Sequence, residues 1–319
     1  MSKLLRALLA SACLSAVTFA PVATHAYAPQ AKVQAPGWYR TMVGDIEVTV
    51  LSDGTMKLPV TQLLKGDATR MEDALRRNFQ GEQVETSVNA YLVNTGSKLV
   101  LVDTGSGVFF GPGGGGLAKN VRAAGYRPEQ VDEIYITHMH GDHIGGLVQG
   151  GKRAFPNATL RIDKRDTDYW LSETIMASAP DDAKQFFKAA RAAVTPYQKA
   201  GRLKTFEGST PLVPGVSAVS AYGHTPGHTV YTVESKGQKL VLWGDLMHVA
   251  AVQFEDPSVT IAFDTDNAAA AQARQAAFAD AAKNGFLVGA AHLPFPGLGH
   301  LRAADKGYVF VPLNYSALK

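Results

Sequence analysis

The stretch "ITHMHGDHIGGL", Ile136 to Leu147, places three histidines and one aspartate within six residues, from His138 to His143. The run before it, "VDEIYIT" (Val131–Thr137), reads as a strand that delivers this cluster at its carboxyl end. On an extended chain, residues two apart project to the same side, so His138 and His140 can converge on one ion. Gly141 lets the chain turn and send Asp142 and His143 elsewhere, and Gly145 with Gly146 lets a helix start close by. One loop can therefore serve two neighbouring ions, with two ligands to each.

Two ions need more ligands, and the second half of the chain offers them. His224 stands in "GHTPGHT", Asp245 ends "LVLWGD" and His292 ends "FLVGAAH". Each follows an apolar run, where side chains gather at one edge of a sheet. Taken singly, each has an ordinary reading: a hydrogen-bonded histidine, or an aspartate capping a helix. The packed His-x-His-x-Asp-His set is not explained that way. The only cysteine, Cys13, lies near the N-terminus, so the donors are imidazole and carboxylate. That set suits two divalent ions, zinc first, with iron, manganese or cobalt also compatible. His228 is expected to make structural hydrogen bonds, and His300 stays open.

At 319 residues the chain suits one large domain or two ordinary ones, and with 46% hydrophobic and 18% charged residues it is globular in composition. The formal charge is +3, and Lys3 and Arg6 belong to a segment expected to be removed. No electrostatic case for a nucleic acid or a membrane surface remains. The opening "MSKLLRALLASACLSAVTFAPVATHAYAPQ" has the three-part pattern of an export signal, residues 1–26, with cleavage after Ala26. Cleavage after Ala28 ranks second, and a retained anchor is the alternative. Export to a periplasm or the medium follows.

Residues 27–44 read as an extended lead-in and 45–319 as a single domain. Strands are expected at Ile46–Leu51, at Asn89–Gly105 as a hairpin turning at Asn94–Ser97, at Thr159–Asp163, and at Phe286–His292. "VSAVSAYG", "HTVYTVES" and "QKLVLWGD" add three more. Helices are expected at Asp166–Met176, Asp181–Gln198 and Asp266–Gly285. Strands followed by helices in each half suggest two sheets packed face to face with helices outside. "GPGGGG" (Gly111–Gly116) lacks the Lys-Ser/Thr pair of a P-loop and reads as a mobile loop near a pocket.

"HMHGDH", "GHTPGH", "LWGD" and "AAH", in this order and preceded by "LVDTGSG", resemble the metal motifs of the metallo-β-lactamase superfamily. The resemblance covers about residues 45–300 and implies an α/β fold, an αββα sandwich of two mixed sheets. It implies that His138, His140 and His224 hold one metal and Asp142, His143 and His292 the other. Asp245 would bridge them, and Asp103 would anchor the site from behind. The implied chemistry is hydrolysis, with water made reactive by two cations. True β-lactamases lack the bridging aspartate.

Within the superfamily the chain is most similar to the secreted methyl parathion hydrolases and their lactonase relatives. That likeness implies an aromatic pocket at Phe110, Trp170 and one of Phe186 and Phe187, and a homodimer. Leu63, His248, Ile261 and Phe263 look like the lactonase-like state. Bulky Ile261 and Phe263 narrow the pocket toward a flat aryl lactone or ester, such as dihydrocoumarin, with weak aryl phosphotriesterase activity beside it. His248 stands where acyl-homoserine lactonases carry a tyrosine; it is a candidate proton donor or a structural histidine. The alternatives are a principal phosphotriesterase, an acyl-homoserine lactonase, and a metal-stabilised envelope binding protein.

Overall fold

The computed structural model describes residues 28–109 and 111–318. The expected export segment, residues 1–26, with Cys13, and Phe110 lie outside the described residues. Pro36–Lys319 form one compact unit, and residues 28–35 carry no helix or strand.

The first sheet has seven strands in chain order: β1 (Trp38–Val43), β2 (Ile46–Pro59), β3 (Gln83–Asn94), β4 (Leu99–Val102), β5 (Glu133–Tyr135), β6 (Thr159–Asp163) and β7 (Leu203–Phe206). The second also has seven: β8 (Thr210–Val213), β9 (Val216–Ser220), β10 (Thr229–Ser235), β11 (Gln238–Leu242), β12 (Leu287–Gly289), β13 (Leu298–Ala303) and β14 (Tyr308–Pro312). Both are mixed. β4 to β7 run parallel, as do β11 and β12, and the remaining pairs are antiparallel.

Side-chain alternation builds the layers. In "LVLV" (Leu99–Val102) the valines face inward and the leucines outward, and all four are buried. Val48, Val50, Val93, Val100, Val102 and Tyr135 meet Val216, Tyr231, Val233, Leu240 and Leu242 between the sheets. Outside the first sheet, Leu101, Ile134, Leu160 and Ile162 pack against the helix Lys184–Lys199 through Phe187, Ala190, Val194 and Tyr197. That spacing is the apolar stripe of an amphipathic helix. Outside the second sheet, Val230, Val241, Trp243 and Val288 pack against Phe278 and Ala281 of the helix Asn267–Asn284. The Asp266 side chain caps that helix by accepting from the Ala269 N–H at 3.0 Å, and Gly285 ends it at φ 65°. The architecture is helix, sheet, sheet, helix, as the motifs implied.

Two expectations need correction. β1 lies inside the expected lead-in 27–44 and forms a hairpin with β2 across Gly44. It is a half-exposed edge strand, so its residues lack the apolar continuity that marks the central strands. The glycine run is not a free loop: Gly115 and Leu117 donate backbone N–H groups to the buried Asp53 carboxylate at 2.9 and 3.0 Å. Glycine is required there by close approach, since a Cβ at Gly114 would lie 2.0 Å from Ser106 Oγ.

Candidate metal centre

The chemistry-bearing residues gather at the carboxyl ends of central strands, the place where α/β sheets bind ligands. Asp103 follows β4, the His138–His143 loop follows β5, Asp245 follows β11 and His292 follows β12. His224 comes from the connection between β9 and β10, and the Thr229 N–H donates to Thr137 O at 2.8 Å, tying that connection to the β5 loop.

Two groups form. His138, His140, His224 and Asp245 make the first, and Asp142, His143, Asp245 and His292 the second; within each, the ligand atoms lie within 4.8 Å of one another. In the first, His138 Nε2 is 3.0 Å from His140 Nδ1 and 3.2 Å from His224 Nε2, with Asp245 Oδ2 3.4 Å from His224 Nε2. In the second, His143 Nε2 is 3.2 Å from Asp245 Oδ1, and His292 Nε2 is 3.4 Å from Asp142 Oδ2. Zinc ligands sit at about 2.0–2.1 Å, so neighbouring ligand atoms around a tetrahedral ion lie roughly 3.4 Å apart. The donor set fits two divalent ions sharing Asp245.

Two further observations support that fit. His143 Nε2 and Asp245 Oδ1 are buried and make no hydrogen bond, although they face each other. Unpaired buried polar atoms are costly, and a cation between them removes the cost. The charges also ask for positive ions. Burial would lower the pKa of His143, but Asp245, Asp142 and Asp103 outweigh it and hold it well above its ordinary value. His292 is pushed up to about 10, because Asp245 and Asp142 outweigh its burial.

Three of the five ligand imidazoles are oriented from behind. His143 Nδ1 donates to Asp103 Oδ2 at 2.8 Å, His224 Nδ1 to Asp264 Oδ1 at 2.8 Å, and His292 Nδ1 to Ser87 O at 2.9 Å. Those bonds leave Nε2 of each ring facing the centre. Asp103 also accepts from the Thr137 N–H and hydroxyl, both at 2.8 Å, and takes a left-handed φ of 61° to do so. His228 lies outside both groups: Nδ1 donates to Ala221 O, and Nε2 accepts from the Asp245 N–H at 3.1 Å. His300 donates to Gly285 O at the end of the helix Asn267–Asn284.

His248 is buried over the centre, its ring 5.1 Å from that of His292 and 5.0 Å from that of His224. Its Nε2 lies 3.1 Å from Asp245 Oδ2, yet neither ring nitrogen has a hydrogen-bond partner. Burial, outweighing Asp245, brings its pKa down to about 4, so the ring is neutral at pH 7. Phe263 stands 6.1 Å from it and is half-exposed. Ile261 is fully buried on a short ladder that pairs it with Leu64, and Leu63 O accepts the Ala262 N–H at 2.9 Å. Phe263 thus stands beside His248, while Ile261 is a core residue packed with Leu64, Val249 and Val252, and Leu63 lies against that cluster.

Trp170 sets its ring edge-on to His140 at 5.4 Å. Phe187 is corrected from a pocket residue to a core residue: it is 1% exposed and supports Trp170 from behind at 4.8 Å. Its neighbour Phe186 is 47% exposed, one residue round the helix. Phe109, not singled out by the sequence, lies against the metal-binding loop: a Cβ on Gly141 would be 3.6 Å from its ring. Asp53, Asp166 and Asp264 were also missed. In "SDG", "DKRDTD" and "FDTDN" they look like turn or solvated charges, and only the fold shows them buried.

Residues 84–292 match the profile of the metallo-β-lactamase superfamily. The chain belongs to that superfamily. It is a metal-dependent hydrolase with a His/Asp cluster for a dinuclear metal site. The crystal structure of hydrolase AbOPH of the β-lactamase superfamily superposes with a TM-score of 0.85 at 36% identity, covering 89% of this chain and all of that one. AidC, a dizinc quorum-quenching lactonase solved with the product N-hexanoyl-L-homoserine, gives 0.81 at 29% identity, covering 88% and 99%. An N-acyl homoserine lactonase of a Bacillus species is 25% identical over 205 residues, 58% of this chain and 74% of its own. No helix among the described residues is long and apolar enough to cross a membrane.

Proposed function

We propose that this hydrolase opens lactones, aryl lactones such as dihydrocoumarin before others, with weak activity on aryl phosphotriesters. The observation that carries the reading is the wall beside Asp245. His248 lies 3.1 Å from Asp245 and Phe263 stands next to His248, with Ile261 two residues before it on the short ladder to Leu64, and Trp170 stands edge-on to His140. A flat ring enters between such a wall and an indole more readily than a tetrahedral ester with three substituents.

Two divalent ions, zinc by preference, would supply Lewis acidity toward water and the acyl oxygen when bound. His138, His140 and His224 would hold one, Asp142, His143 and His292 the other, and Asp245 would serve both. The chain's own groups do the rest. Asp103, Asp264 and the Ser87 carbonyl fix the ligand imidazoles, so little reorganisation accompanies the reaction. Trp170 and Phe263 orient the aryl ring. His248 Nε2, neutral and without a hydrogen bond, is placed to donate a hydrogen bond to the ring oxygen as charge develops on it, without giving up its proton.

Acyl-homoserine lactones are the second reading, favoured by the likeness to AidC and to the Bacillus lactonases. The first 26 residues are read as an export signal, giving a periplasmic or secreted enzyme, which the mass of the mature N-terminus tests. The function is tested by hydrolysis of dihydrocoumarin by the zinc-loaded chain. Activity that is lost on chelation and regained with zinc, with the circular dichroism unchanged, is the expected result. Binding without turnover of any lactone would refute it.

A further inference from the structure

We infer that Asp166 is a positioning residue for the first metal site, joining the two loops that carry its three histidines. The inference rests on the two-ion reading of the centre and not on which ester is cleaved.

Asp166 is fully buried, and among the described residues its carboxylate makes no hydrogen bond or ion pair with a residue of either ligand group. Its Oδ2 accepts the Met139 N–H at 2.8 Å, and its Oδ1 accepts the Gly227 N–H at 2.7 Å. Met139 is the residue between His138 and His140, and Gly227 is three residues beyond His224. One carboxylate therefore holds the backbones of two loops that belong to different sheets. The contact is tight: a Cβ on Gly227 would lie 2.6 Å from Asp166 N, so the second loop approaches this closely only because glycine stands there.

The ordinary role for an acid in the first turn of a helix is to cap that helix. Here the cap of the helix Lys164–Trp170 is Asp163, which accepts the Arg165 N–H at 2.8 Å. Both oxygens of Asp166 point out of the helix instead. Burial pushes its carboxyl up to about 6 against the lowering effect of its hydrogen bonds, so the fold keeps an ionised group there at a cost. The loop bonds are what that cost secures. The second ligand group is braced by other residues: Asp103 under His143, Ser87 O behind His292, and Asn89, whose Nδ2 donates to Leu293 O at 2.7 Å. Loss of Asp166 thus loosens the first site selectively.

The test uses zinc alone, in two backgrounds that each keep one site. His292→Ala weakens the second site and His224→Ala the first, and the zinc Kd is measured by competition with a chromophoric chelator. Adding Asp166→Ala in the His292→Ala background raises Kd about 10–100-fold, the loss usual for a group that orients ligands from behind. Adding it in the His224→Ala background changes Kd less than threefold. Asp166→Asn, which keeps one acceptor oxygen, falls between wild type and Asp166→Ala, and it also serves if the alanine variant does not fold. Equal losses in both backgrounds would show a general structural role and overturn the inference, as would no loss in either. A parent chain that binds no zinc would remove the two-ion reading and the inference with it.

Discussion

Removing Asp264 separates metal holding from substrate fit in a single position. Its Oδ1 accepts from His224 Nδ1 at 2.8 Å and its Oδ2 accepts from the Ile261 N–H at 3.1 Å, so one carboxylate orients a ligand and the pocket wall. Burial acts to raise its pKa, but the His224 contact outweighs that and keeps it below the ordinary carboxylate range. A hydrogen bond to a charged group contributes about 1.5–3 kcal/mol, and loss of a ligand's orienting partner costs about 10–100-fold in metal affinity. For Asp264→Ala the expected rise in zinc Kd at the first site is therefore about 10–100-fold. Asp264→Asn keeps an oxygen for His224 but turns its NH2 toward the Ile261 N–H, where two donors meet. It should lose about tenfold in zinc affinity and raise KM for the lactone as Ile261 and Phe263 shift. Chelator competition and steady-state kinetics at saturating zinc measure the two effects separately. A zinc Kd within twofold of wild type for Asp264→Ala would refute the claim that this carboxylate holds His224.

The remaining predictions concern the wall and one buried acid. Phe263→Ala, at a half-exposed position, should leave the fold intact and shift the ratio of phosphotriester to lactone kcat/KM upward about tenfold, or about 1.4 kcal/mol; an unchanged ratio would remove Phe263 from the specificity argument. His248→Gln should lower kcat about 100-fold with both ions retained by metal analysis, and full kcat would make His248 structural. In the zinc-free chain, Asp166 has a folded pKa of about 6 against roughly 3.9 unfolded. Its contribution to stability is then fully present below about pH 4 and lost as the pH rises through about 6, a span of about 3 kcal/mol. The urea-derived stability of wild type minus Asp166→Asn should grow as pH falls from 7 to 4.5; a flat difference would contradict the burial argument.

The sandwich and its metal cluster were legible because each rests on local pattern. Buried parallel strands read as apolar runs, and every histidine of both ligand groups follows or interrupts one. The helix Asn267–Asn284 announced itself through Asp266 and Gly285. What stayed hidden depends on long-range contact. Asp166 and Asp264 sit in charge-rich segments whose burial is decided by loops from elsewhere in the chain. β13 and β14 are short and partly exposed, with Arg302 breaking the apolar pattern of β13. Choosing Phe187 over Phe186 for the core was within reach, since Phe187, Ala190, Val194 and Tyr197 follow helical spacing.

The most direct test compares kcat/KM for dihydrocoumarin and for a methyl aryl phosphotriester on one zinc-loaded preparation of residues 27–319. The account predicts that the lactone is preferred by about 100-fold or more, about 2.7 kcal/mol of transition-state discrimination. A preference for the phosphotriester would mean that Ile261, Phe263 and His248 do not close the pocket as argued, and the lactonase reading would fall.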